Sequence, residues 1–270
     1  MLKVCKFGGS SVAGAEQFRK VRDIVLSDDS RRVVVISAAG KRTSDDHKLT
    51  DLLYLCHAHL TYGVSCADIL AAIRSRFVSI RDELGLSYRV EDEFDAYAAT
   101  LSRDTSVDEL VSRGEYFTAR LMAETLGYAF VDAADCVFFG FDGQFDRART
   151  DAAIAAALEK NGKIVLPGFY GRVPTGKIKV MTRGGSDITG ALAAAAVNAD
   201  VYENWTDVSG FLVSDPRIVD NPKPIKNITY KELRELSYMG ASVLHEDAIF
   251  PVREVNIPIN IRNTNEPDNP

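Results

Sequence analysis

Short apolar blocks alternate along the chain with longer segments of helical period. Leu2 to Phe7 reads as a strand, which Gly8-Gly9-Ser10-Ser11 breaks before a helical run from Ala15 to Leu26. Val33 to Ile36 is a continuous β-branched block, the pattern of a strand buried on both faces. It ends at Ser37-Ala38-Ala39-Gly40, and the polar stretch Lys41 to Lys48 reads as a mobile loop. A helical region from Thr50 to about Gly127 is broken near Gly63, at Gly85 to Ser87 and at Asp104 to Ser106. Val111, Phe117, Leu121, Met122 and Leu126 recur within it at helical spacing.

Beyond it, Ala129 to Asp132 reads as a strand, Thr150 to Leu158 as a helix and Ile164 to Leu166 as a buried strand. Arg172 to Thr182, with Pro174-Thr175-Gly176-Lys177 in its middle, reads as a hairpin. An Ala-rich helix follows Gly184-Gly185 and feeds an apolar strand ending in Thr206-Asp207. After a proline-rich loop come helices over Thr229 to Tyr238 and about Leu244 to Val255, and a closing strand over Ile257 to Ile261. Strands alternating with helices predict an α/β fold: an open, mainly parallel sheet with helices on both faces. No repeat or linker interrupts residues 1–270, so one domain of two lobes is expected rather than separate domains.

Composition narrows the function classes. With 46% hydrophobic residues in 270, the chain can bury a substantial core. The formal charge of −6 leaves no basic excess for nucleic acid, and no apolar run of about 18 residues suggests a membrane span. Cys5, Cys56, Cys66 and Cys136 lack CxxC spacing and fall in apolar surroundings, as reduced core thiols of a cytoplasmic protein would. The N-terminus enters a strand at once, without a signal peptide's apolar region. His57 and His59 stand two apart on a helix and share no face, so no histidine or cysteine metal cage is expected.

Four clusters carry candidate chemistry. Lys6-Phe7-Gly8-Gly9-Ser10-Ser11 puts a lysine and close-approach glycines at a strand end, a setting for phosphate; a tight turn beside an exposed lysine would explain it equally. Thr182-Arg183-Gly184-Gly185-Ser186-Asp187 opens a helix, where the carboxylate suits the dipole or a cap, while the arginine and paired glycines add anion-binding character. Thr206-Asp207 closes a strand eight residues before Asp215-Pro216-Arg217; such carboxylates suit ribose hydroxyls or a hydrated metal and the arginine suits phosphate, while a solvated loop with an Asx-turn at Asp215 is the plainer reading. Ser112-Arg113-Gly114-Glu115 reads either as a helix cap with Glu115 exposed or as part of a site. Trp205, the single tryptophan, reads as core rather than as a platform for a base.

Taken in order, KFGGSS, VVVISA, SRGE, PGFYG, TRGGSDITG, TDVSGFLVSDPR, ELRELSYMGASVLHEDAIFPV and IPINIRNTN span nearly the whole chain. This series resembles the aspartate kinases of the amino acid kinase family. The resemblance implies transfer of the ATP γ-phosphoryl group to the β-carboxylate of L-aspartate, giving 4-phospho-L-aspartate, with ATP and Mg2+ as cofactors. It also implies a place in lysine, threonine, methionine and diaminopimelate biosynthesis in the cytoplasm. Other carboxylate kinases, such as those for glutamate or acetylglutamate, are the nearest alternative, and an inactive ligand-binding module is a further one.

By position, Lys6 would stabilise the transferring phosphoryl group, Asp187 would orient Lys6, and Gly8, Gly9 and Ser10 would cradle phosphate. Glu115 would take the substrate ammonium and Arg183 its α-carboxylate, while Ser37, Thr50, Phe169 and Ser186 would line the pocket. Thr206, Asp207, Leu212, Arg217 and Ser242 would meet the nucleotide, and no protein side chain is assigned to a metal. The resemblance makes residues 1–163 the substrate-binding lobe and 164–270 the nucleotide-binding lobe.

The chain departs from the family pattern at three places. Ser242 stands where a nucleotide-contacting lysine is usual, with Glu246 in place of the proline after the histidine, so Lys223 or Lys226 would have to substitute. The threonine after the serine strand is either Thr43 or Thr50, and Leu212 replaces a frequent tyrosine. Family chains normally continue into regulatory ACT domains; their expected absence here implies activity insensitive to lysine. The family is usually at least dimeric, which makes a homodimer an open expectation.

Overall fold

The computed structural model describes residues 1–182, 184–212, 224–225, 228–238 and 246–269. The chain begins with β1 (Lys3–Phe7), a 3-10 turn over Gly9–Val12, α1 (Ala15–Leu26) and β2 (Arg31–Ile36). Four helices follow, α2 (Leu49–Tyr62), α3 (Ala67–Leu84), α4 (Val90–Ala98) and α5 (Val107–Leu126). Then come β3 (Ala129–Phe130), α6 (Ala133–Cys136), α7 (Arg147–Asn161), β4 (Ile164–Pro167), and a hairpin of β5 (Tyr170–Arg172) and β6 (Ile178–Val180). The chain continues through α8 (Gly185–Ala196), β7 (Val201–Thr206), β8 (Phe211–Leu212), β9 (Pro224–Ile225), α9 (Tyr230–Tyr238), α10 (Glu246–Glu254) and β10 (Ile259–Asn263).

Six strands form one parallel sheet in the order β10-β7-β1-β2-β4-β3. Strands from residues 1–163 and 164–270 interleave in it, since β4 lies between β2 and β3 while β7 flanks β1. Period-2 alternation divides the core. Cys5, Phe7, Val34, Ile36, Val165 and Trp205 pack with α1 to α5, whereas Val4, Val33, Val35, Ile164, Leu166 and Tyr202 pack with α6, α7, α8 and α10. The expected helices on both faces are present, and no described helix is long and apolar enough to cross a membrane.

Local chemistry explains the longest helix. Ser106 caps α5 by accepting the Glu109 N–H at 3.2 Å, and Gly127 closes it at φ 67° in the left-handed region. The ring centroids of Phe77, Phe94 and Phe117 lie 5.4–6.0 Å apart and lock α3, α4 and α5 together. The sequence reading shifts at two ends. The closing strand runs over Ile259–Asn263, because the Ile257 N–H turns back to the Val252 carbonyl at the end of α10. The strand at Ala129 is only two residues long, because Asp132 caps the short helix α6.

A charged pair is buried beneath the sheet. Glu203 on β7 is 1% exposed, pairs with Arg31 at 2.8 Å and accepts the Trp205 indole N–H at 3.0 Å. Burial pulls its carboxyl upward in pKa, but the Arg31 hydrogen bond and charge outweigh it and hold the group below its ordinary range. Cys5 donates to the same carboxylate at 3.3 Å, so this thiol sits beside a charge rather than in the apolar setting its sequence neighbours suggest. Trp205 is core, stacked on Phe7 with centroids 5.8 Å apart. Glu203→Leu strands Arg31 without its partner and should cost about 3–5 kcal/mol, read as a lowered denaturation midpoint; an unchanged midpoint would show the pair to be neutral.

Candidate active site

The carboxyl ends of β1, β2 and β4 open onto a cavity of about 800 Å³. Ligands bind at this kind of place in an open α/β sheet, where neighbouring strands lead the chain in opposite directions. Lys6 sits on the α8 side of β1 because it alternates with Cys5 and Phe7, which face the other way. It is 7% exposed, and its Nζ lies 2.6 Å from Asp187 Oδ1 in the first turn of α8. The N-cap of α8 is Gly184, without a side-chain cap bond. Asp187 is therefore committed to Lys6 rather than to closing the helix, and Lys6 is neither exposed nor incidental to a turn.

The same Asp187 oxygen accepts Asn204 Nδ2–H at 2.8 Å. Asn204 is the register partner of Lys6 on β7 and is buried. The sequence reading missed it: one asparagine inside the apolar strand VYENWT belongs to no motif. Its signal is positional, since a buried amide needs partners and this one stands beside the candidate lysine.

Gly9 and Gly40 bring two strand-end loops into backbone contact. A Cβ on Gly40 would lie 2.6 Å from the Gly9 carbonyl oxygen, and the Gly40 N–H donates to that oxygen at 2.8 Å. Only glycine at position 40 permits this approach, which holds the Gly8-Gly9-Ser10 turn against the cavity.

Glu115 is buried in the middle of α5, so the exposed-cap reading of Ser112 to Glu115 does not hold. Burial pushes its carboxyl up to about 8, against hydrogen bonds from backbone N–H groups including that of Ala38. Its Oε2 is buried with no hydrogen-bond partner among the described residues, although Glu115 is one of the residues lining the cavity. A buried, unpartnered carboxylate oxygen is a costly feature in a core and an apt one for a cation. Phe169, also lining the cavity, holds a left-handed φ of 77°, which a non-glycine residue adopts only when its surroundings impose it.

The cavity gathers most of the sequence-predicted residues: Lys6, Gly8, Gly9, Ser10, Ser37, Thr50, Glu115, Phe169, Ser186, Asp187 and Asp207. Thr43 lines it as well as Thr50. Thr206 is not on the wall but donates its hydroxyl to Asp207 at 3.1 Å. Leu212 is placed by its backbone in β8, while Arg183, Arg217, Lys223, Lys226 and Ser242 lie outside the described residues. Lys41, Arg42, Ser44 and Lys48 are further cavity residues that the sequence reading left in a mobile loop.

A second cavity, of about 750 Å³, lies among the β5–β6 hairpin, α8 and α10. Its charged groups engage neighbours: Arg147 pairs with Glu254 at 3.7 Å and Lys179 stands over the Phe139 ring. The lysine–carboxylate pair and the buried acid are in the first.

Aspartokinase 3 of Bacillus subtilis is 36% identical over 98% of this chain and 62% of its own length. Lysine-sensitive aspartokinase 3 of Escherichia coli is 33% identical, again over 98% and 62%. The chain thus spans under two thirds of these curated relatives. The crystal structure of Clostridium acetobutylicum aspartate kinase superposes with a TM-score of 0.94 at 48% identity, over all of this chain and 61% of that one. Escherichia coli aspartokinase III, solved with aspartate and ADP, gives 0.83 at 30%, over 99% and 63%. The amino acid kinase family profile matches residues 1–263, and the chain belongs to that family.

Proposed function

We propose that the protein is an aspartate kinase, transferring the γ-phosphoryl group of ATP to the β-carboxylate of L-aspartate. The observation that carries this reading is a single cavity with Lys6 held 2.6 Å from Asp187 on one wall and the partnerless Glu115 oxygen on another. The relatives are named aspartokinases, and one is solved with aspartate and ADP.

The chemistry suits these residues. A substrate carboxylate with an ordinary pKa of about 3.9 is already ionised at neutral pH, so no general base is needed. No histidine lines the cavity among the described residues, which is consistent with that. One carboxylate oxygen attacks the γ-phosphorus, the bond to the β-phosphate oxygen breaks, and ADP leaves with the electron pair. The barrier is mainly electrostatic, since an anion attacks an anion. Lys6 neutralises charge on the transferring group, Asp187 aims Lys6, and the Gly8-Gly9 turn offers backbone N–H groups. Glu115 takes the ammonium of aspartate and Arg183 its α-carboxylate, beside Ser37, Thr50, Phe169 and Ser186. Residues 164–270 hold the nucleotide, through Thr206, Asp207, Leu212, Arg217 and Ser242.

Asp187 and Asp207 are carboxylates among the residues lining the cavity. That donor set would suit Mg2+ arriving on the nucleotide, which needs one or two carboxylates at most and supplies neutralisation of the phosphates when bound. An ADP-release assay with aspartate, glutamate and acetylglutamate, each with and without magnesium, tests the proposal. Magnesium-dependent turnover with aspartate is expected; preference for either other acid, or none for any, overturns it.

A further inference from the structure

Helix α3 buries Ile73, Phe77 and Ile80, and Arg76 falls on the same stripe, three residues after the first and four before the last. Its side chain is 3% exposed. A guanidinium there forfeits hydration, and an apolar side chain of similar volume would serve the core at least as well. Burial pulls its pKa down, partly offset by the charge of Asp46.

The hydrogen bonds it makes in exchange all reach one loop. Nη1 donates to the His47 carbonyl at 2.6 Å, Nη2 donates to the Gly40 carbonyl, and the guanidinium pairs with Asp46 at 3.2 Å. Asp46 in turn accepts the Arg42 backbone N–H at 3.0 Å and Arg42 Nε–H at 2.8 Å. One buried cation therefore fastens both ends of the loop over residues 40–48 and, through Asp46, its middle. That loop carries Lys41, Thr43, Ser44 and Lys48 on the cavity wall, and its first residue is bonded to Gly9. Neither lysine has a carboxylate partner among the described residues, so both suit anionic substrate groups. Arg76 itself does not line that cavity.

We infer that Arg76 is a positioning residue, fixing the 40–48 loop so that its lysines and hydroxyls meet the substrate and the Gly8-Gly9 turn stays seated. The inference rests on the cavity being the phosphoryl-transfer site proposed above. A residue in this role acts on the binding of the amino acid more than on the chemical step. Arg76→Met should raise KM for aspartate on the order of 10- to 100-fold, with kcat changed no more than a few-fold. Freed from its clamp, the loop should also be cut by trypsin after Lys41, Arg42 or Lys48 about tenfold faster, cleavage elsewhere being unchanged.

Arg76→Met alters the core, so Asp46→Asn serves as the second variant, removing from the loop side the ion pair to Arg76 and the charge that holds Arg42, while the ties to the Gly40 and His47 carbonyls remain. Raised KM and faster loop cleavage in Asp46→Asn support the inference even if Arg76→Met fails to fold. Parental KM and parental loop cleavage in Asp46→Asn overturn it, as does a folded Arg76→Met whose kcat falls while KM and loop cleavage stay parental. If the parent protein turns over no carboxylate substrate, the proposed function fails, and the loop-cleavage comparison still decides whether Arg76 holds the loop.

Discussion

Lys6→Met lowers kcat by about a thousandfold or more while leaving the melting transition near that of the parent. The size follows from what the lysine is proposed to do. A preorganised donor aimed at charge that develops in the transition state is worth about 3–4 kcal/mol, and a full cation in a partly dry site at least that. Stability should be largely preserved because Asp187, left behind, keeps the Asn204 hydrogen bond and can reach solvent. KM for aspartate should move only a few-fold, since the cation meets the transferring group rather than the amino acid's anchors. Arginine should not restore turnover: a planar fork does not occupy the place of a compact ammonium. Steady-state kinetics with a matched thermal melt decide the matter. A kcat within tenfold of the parent would remove Lys6 from the proposed mechanism.

Glu115→Gln is the second large effect, and pH is its signature. In the empty site the carboxyl is held at about 8 by burial, so near pH 7 it is mostly protonated. An ammonium beside it favours the ionised form, so aspartate binding should release a proton. KM for aspartate should therefore fall as pH rises from about 6 to 8, by at most about tenfold per unit for one proton, and level off above that. Glutamine keeps the shape, removes the charge, and should raise KM about 100-fold with the pH slope gone. The stability of the empty protein runs the other way. The folded pKa lies above the ordinary 4.5, so the folded state holds the extra proton between those values. This contribution is fully present below about 4.5 and is lost as pH rises through about 8. A pH-independent KM in the parent would sink the role given to Glu115.

Much of this site was readable because its residues sit in glycine turns at strand ends, where sequence order and backbone geometry are tied together. Lys6 before Gly8-Gly9 and Asp187 after Gly184-Gly185 belong to such turns, and the fold brings the two into contact. What escaped reading lacks local syntax. Asn204 matters through its register with Lys6, a pairing across 198 positions that no short pattern encodes. Arg76 looks like an ordinary surface arginine among Arg74 and Arg81; only its place on the Ile73, Phe77 and Ile80 stripe marks it. The Glu115 motif was visible, but whether its carboxylate faces solvent or core depends on which side of a 20-residue helix meets the sheet. The two-residue strand at Ala129 and the shift of β10 to Ile259 reflect competition from neighbouring caps, which tertiary packing resolves.

The placement of β1 also governs when the protein can become competent. The strand carrying Lys6 is made first, yet it lies between β2 and β7 and meets its partner Asn204 only when residues 201–206 exist. Asp187 too comes from a helix that begins at residue 185. Pairings this distant in sequence close late, after local helices have formed. A nascent chain released before about residue 206 would hold Lys6 on an unpaired strand edge, the kind of surface that invites aggregation. The Lys6–Asp187–Asn204 cluster and the interior place of β1 are thus completed together, once β7 has been made and before β10 adds the edge strand.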